Sequence, residues 1–143
     1  MSRRISKMFV VAAMSVGTLV APMPAWAHHA FAAAFDADRP VEVKGVLTEI
    51  RLENPHSWFF IDVTDASGKV ANWGFEASTP TSLIRSGFRP SSLKVGDQVT
   101  IKGSHARDLT KNAGAAREIT LADGRSFIVG PQGNEPSGPP ANR

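Results

Sequence analysis

Along the middle of the chain the apolar positions alternate with polar ones. Val41, Val43 and Leu47 fall on one phase, and Val46, Thr48, Ile50 and Leu52 fall on the other. The phase changes around Gly45, and a glycine at a phase slip predicts a β-bulge that lets a long first strand bend and serve two parts of a barrel. Asn54-Pro55 ends that strand, because proline lacks a donor and pushes the residue before it away from helical geometry.

The clearest hairpin comes next, with Ser57 to Thr64 and Val70 to Ala77 flanking a turn that ends in Gly68. Pairing Asp65 with Lys69 puts Phe59, Ile61 and Val63 opposite Phe75, Trp73 and Ala71, so one face of the ribbon is wholly apolar and must be core. On the other face this register sets Trp58 across from Glu76 and Phe60 across from Gly74. Thr79-Pro80 offers a cap and a first helical proline for a short helix over Thr81 to Ser86, which Gly87 stops. Gln98 to His105 reads as the next strand, and Arg117 to Leu121 and Ser126 to Val129 flank the hairpin signal Asp123-Gly124. The order of bulged strand, strand, strand, short helix, strand, strand is that of an all-β, OB-like five-stranded barrel. Another small antiparallel barrel or a sandwich is the alternative. Four prolines among the residues after Gly130, with few apolar ones, predict a disordered tail over 131–143.

The start of the chain reads differently. Arg3, Arg4 and Lys7 precede an apolar run from Met8 to Val20, followed by Pro22, Pro24 and Ala25-Trp26-Ala27, the three regions of a secretory signal cleaved after Ala27. The run is shorter than the about 20 residues that span a bilayer. We therefore expect a cleaved leader over 1–27, a barrel domain over 28–130, delivery to the periplasm or medium, and no stable membrane insertion after cleavage. Ser2-Arg3-Arg4 is similar to a twin-arginine signal, but Ser6 stands where that pattern carries an aromatic or apolar residue, so the export route is open.

Charge changes meaning once the leader is set aside. The whole chain carries 16 basic and 13 acidic residues and a pI of about 9.7, values that suggest nucleic-acid binding. Without the leader's three basic residues the two signs balance, leaving no excess positive charge to displace counterions from a phosphate backbone. We expect no nucleic-acid partner. The absence of cysteine excludes disulfides, thiolate metal sites and cysteine nucleophiles. No nucleophile elbow, phosphate loop, zinc-protease helix or dinucleotide fingerprint is present, so the chain is expected not to be an enzyme.

Cleavage after Ala27 would make His28 the first residue and His29 the second. A free α-amine and an imidazole can both give up a proton to a metal near neutral pH. His28 could chelate through its amine and ring, and His29 through amine, backbone amide and ring. Such nitrogen sets suit Cu(II) in a tetragonal plane. All four methionines lie in the leader, so the processed chain offers no thioether for Cu(I). His56, at the start of a strand, is the candidate distant ligand. His105 reads as a surface residue at a strand end. The competing class is a metal-free module that binds a small ligand or protein through Trp58, Phe60 and Glu76. The helix, or the segment from Phe31 to Pro40, could instead cover the two aromatics.

Taken together, His28-His29-Ala30-Phe31, Asn54-Pro55-His56-Ser57-Trp58, Asn72-Trp73-Gly74-Phe75-Glu76, Gly96-Asp97 and Leu121-Ala122-Asp123-Gly124-Arg125 resemble a family of small exported bacterial proteins, the domain of unknown function 6152 family, over roughly residues 28–130. Ala30 and Gly74 stand where that pattern carries serine and alanine. The resemblance implies export and a small β-barrel body, and it brings no activity, cofactor or catalytic residue with it.

Overall fold

A computed structural model describes residues 33–131. Among the described residues there are six strands: β1 (Phe35–Arg51), β2 (Trp58–Thr64), β3 (Val70–Glu76), β4 (Gln98–Ala106), β5 (Ala113–Leu121) and β6 (Ser126–Ile128). A short helix α1 (Pro80–Arg85) and a 3-10 turn (Pro90–Ser92) lie between β3 and β4. Neighbouring strands pair in the order β3-β2-β1-β4-β5-β6, and β3 also pairs with β5. The extra pairing closes a barrel-like ring through five strands, with the short helix between the third and fourth, as the order of elements predicts. Four of the ring's contacts are antiparallel, and the β3–β5 seam, which joins Gly74, Phe75 and Glu76 to Ala113, Gly114 and Ala115, is parallel. None of the described helices is long and apolar enough to cross a membrane.

The β2–β3 hairpin has the predicted register, with Phe59 opposite Phe75, Ile61 opposite Trp73 and Val63 opposite Ala71. Its turn works as expected: the Asp65 amide donates to the Lys69 carbonyl at 2.9 Å, and Gly68 takes a positive φ of 83° that a side chain would oppose. Leu47, Phe59, Ile61, Phe75, Ile101 and Ile119, all fully buried, fill the ring. The segment between β3 and β4 closes one end. The Thr79 hydroxyl accepts from the Ser82 amide at 3.2 Å to cap α1, the helix turns Leu83 inward, and Phe88 packs edge-on against Phe59 and Phe127, each at 5.8 Å.

Three expectations are corrected. The bulge in β1 lies between Leu47 and Glu49, where the register with β2 shifts, and pairing with β4 runs through Gly45 unbroken. Gly45 serves close approach: a Cβ there would stand 2.3 Å from the Asp62 carbonyl oxygen. The first strand also begins at Phe35, six residues before the alternation is visible, because the Asp36-to-Pro40 stretch pairs irregularly with β4. Strand β5 begins at Ala113 instead of Arg117, so β6 adds a sixth strand outside the five-stranded ring. Residues 113–116 are Ala-Gly-Ala-Ala, which show no alternation, yet smallness is what the seam requires. A Cβ on Gly114 would meet the Phe75 ring at 2.9 Å, and one on Gly103 would meet the Ala115 carbonyl oxygen at 1.8 Å.

Candidate functional site on the outer face of β1–β3

Because Phe59, Ile61 and Phe75 point inward, the alternate residues of β2 and β3 form an outer face. Trp58 lies across from Glu76, Phe60 across from Gly74 and Asp62 across from Asn72. The Trp58 and Phe60 rings lie side by side with centroids 6.2 Å apart and planes 18° from parallel, and both are half-buried. Phe60 occupies the space a side chain at position 74 would need: a Cβ on Gly74 would sit 3.0 Å from the ring. The structure therefore keeps the predicted pairing of Phe60 with Gly74. Of the segments expected as a cover, Phe35 packs with Ala106, Ala113 and Ala115 and α1 directs Leu83 into the core, while Phe31 lies outside the described residues.

At one end of this face stands His56, just before β2. Its Nδ1 is 2.5 Å from the Glu76 Oε1, with the histidine side chain 50% and the glutamate side chain 21% accessible. Partial burial pushes the Glu76 carboxyl above its ordinary range, while the His56 charge opposes that rise. With Nδ1 against the carboxylate, Nε2 is the ring nitrogen turned to another partner. At the other end, the Asn72 side-chain amide donates to Asp62 Oδ1 at 2.8 Å and to the Thr48 hydroxyl at 3.2 Å, and that hydroxyl donates to the Phe60 carbonyl at 3.1 Å.

β1 contributes a third row. Past the bulge, Glu49 pairs with Phe60 and Arg51 with Trp58 in register. The Arg51 guanidinium sits 4.7 Å from the Phe60 ring centroid and is held by Glu49 through bonds of 2.5 and 3.2 Å. Arg51 in turn holds the Glu49 carboxyl below its usual range. Sequence reasoning missed Arg51 and Glu49, because placing the bulge at Gly45 gave no register for the end of β1, and missed Asn72 although the hairpin register already set it across from Asp62.

Of the predicted site residues, the structure thus brings His56, Trp58, Phe60 and Glu76 onto one face. His28 and His29 lie outside the described residues, as do the leader, Phe31 and the tail from residue 132. Among the described residues no group of three or more histidine, aspartate or glutamate side chains is placed to hold a metal ion. His105 is elsewhere and is not the surface residue expected. It is half-buried, its Nδ1–H donates to the Ala106 carbonyl at 2.8 Å, and its ring stands edge-on to Trp73 at 5.4 Å.

The fold and this face define a small OB-like β-domain with a mixed aromatic and polar surface site. The chain belongs to the family of unknown function DUF6152, which it matches over residues 17–116. That match ends inside β5, so the rest of β5 and β6 lie beyond it. No curated protein and no solved structure matches the chain.

Proposed function

We propose that this is an exported periplasmic protein that binds Cu(II), with the processed amino terminus at His28 and His29 as the primary chelate and His56 Nε2 as a further ligand. The observation that carries the reading is the close approach of His56 Nδ1 to the Glu76 carboxylate. A carboxylate on one ring nitrogen fixes the tautomer and orientation of the imidazole and makes the other nitrogen a better metal ligand. Chain length allows the terminus to reach it. Phe35 pairs with β4 at Ala106, and the registers of β4, β5 and β3 lead in three strand steps, about 14 Å, to the Gly74–Phe75 stretch next to Glu76. Ala33 and Ala34 are helical, and the five peptide units from His28 to Ala33 can extend about 17 Å. Nitrogen donors and the absence of thioether or thiolate in the processed chain favour Cu(II) over Cu(I).

Titration of Cu(II) into protein beginning at His28, and into the same protein with its α-amine acetylated, tests the chelate. Acetylation removes the amine as a donor, and we expect affinity to fall at least about tenfold. Equal affinities overturn the terminal chelate. The intact mass of exported protein should also correspond to a chain beginning at His28, and a start two residues away removes the proposed donor set.

The Trp58–Phe60 ledge supports a second reading, a metal-free ligand-binding face, since rings left half-accessible on a sheet offer a stacking surface.

A further inference from the structure

We propose that the outer face of β1–β3 binds a neutral oligosaccharide, laid lengthwise along β2 from His56 to Asp62. This gives the metal-free reading a ligand class and does not depend on copper. The face runs about 20 Å along the strand, long enough for several sugar rings. Its centre is the flat Trp58–Phe60 ledge, suited to the C–H face of a pyranose. Hydrogen-bonding groups stand at both ends, Glu76 with His56 at one and Asp62 with Asn72 at the other. Each carboxylate is already oriented by one partner and keeps lone pairs to accept from sugar hydroxyls, so little side-chain entropy is lost on binding.

Charge and topology exclude the other polymers. Glu49, Asp62 and Glu76 outnumber Arg51, which is itself held by Glu49, so the face repels nucleic acids and acidic glycans. A peptide cannot add as a strand here, because β2 is paired on both edges by β1 and β3, and β3 by β2 and β5. A ligand must lie across the side chains instead. In barrels of this strand order the face of the second and third strands takes oligonucleotides or oligosaccharides, and the charge balance leaves the latter.

The test is calorimetric titration of protein beginning at His28, in EDTA, with cellohexaose, xylohexaose, mannohexaose and maltohexaose, alongside hexagalacturonate and spermidine. We expect at least one neutral hexasaccharide to bind with Kd near or below about 1 mM. Trp58→Ala should weaken it at least about tenfold, Trp58→Phe should retain most of the affinity, and Asn72→Ala should cost about threefold. Val95→Ala, an exposed position off this face, should change nothing. Matching melting curves for each variant separate a lost contact from a lost fold. The inference is overturned if no neutral sugar binds, if only the anionic or cationic probe binds, or if Trp58→Ala binds as the parent does. Since EDTA removes copper throughout, a failed copper titration and a failed sugar titration are independent results.

Discussion

The Nδ1 of His56 and the Oε1 of Glu76 are 2.5 Å apart although twenty residues separate them in sequence. The hairpin register makes the contact: Glu76 lies across from Trp58, and His56 is two residues before Trp58 on the same side. Partial burial raises the Glu76 carboxyl, and the histidine offsets part of that rise.

Replacing His56 by alanine should therefore move the Glu76 titration further upward, read as the carboxyl carbon shift by NMR. A downward move would show that the histidine does not oppose the rise of the Glu76 carboxyl. Stability inherits the same sign. A carboxyl raised in the folded state binds its proton more tightly there than in the unfolded chain. Its favourable contribution is complete below the ordinary glutamate range and is lost as pH rises through the raised folded value. Glu76→Gln should lack this fall, and chemical denaturation at intervals from about pH 4 to pH 7 would show it as a flatter profile than the parent's.

For copper, Glu76→Gln should weaken binding about tenfold through loss of the carboxylate that orients His56. His56→Ala should weaken it at least as much. A Glu76→Gln protein whose affinity and copper spectrum both equal the parent's would show that the carboxylate has no part in the site.

Two glycines separate steric need from conformational need. Gly103→Ala puts a methyl group on the Ala115 carbonyl and should cost about 3 kcal/mol or more. Gly124→Ala meets open space but holds a φ of 89°, a cost of about 1–2 kcal/mol. Urea denaturation ranks the two, and an equal or smaller loss at Gly103 contradicts the tight approach of β4 to β5.

The Ser57 hydroxyl is fully buried, with no hydrogen-bond partner among the described residues. Its burial is a net penalty, so Ser57→Ala should leave the melting midpoint unchanged or raise the stability by up to about 1 kcal/mol. A clear loss would reveal a partner for it.

The ring's order was legible where side chains alternate in size and polarity, as in β2, β3 and β4, and where a turn glycine sets register, as at Gly68. From that register the pairs Trp58–Glu76 and Phe60–Gly74 came directly. It was hidden where the structure depends on what a side chain lacks. The start of β5 is Ala-Gly-Ala-Ala, apolar on both faces, and only the proximity of Phe75 and Ser104 explains why nothing larger fits. The bulge escaped for a similar reason. Gly45 marks a close approach to Asp62, and the extra residue sits at Thr48, which is ordinary in sequence and identifiable only from pairing. Arg51 belonged to the site only once that shift was known. His105 was misjudged because its position at a strand end says nothing of the Trp73 ring it meets.

The parallel seam has a kinetic meaning. Gly74 and Ala113 are joined across a long intervening segment that must first build α1 and β4. The β1–β4 pairing also joins distant residues, Val46 to Gln98, but does so along most of β1, while the seam closes a large loop for only three residue pairs. A topology dominated by such distant contacts folds on the slow side for its size, in milliseconds to seconds. The seam is also the place where the native protein should open first, by local fluctuations well short of global unfolding. Glu76 belongs to it, paired with Trp58 on one side and Ala115 on the other. Any ligand that fastens Glu76 to β2 would hold the two margins together, and occupancy would be felt as slower amide exchange along β5, a strand the ligand need not touch.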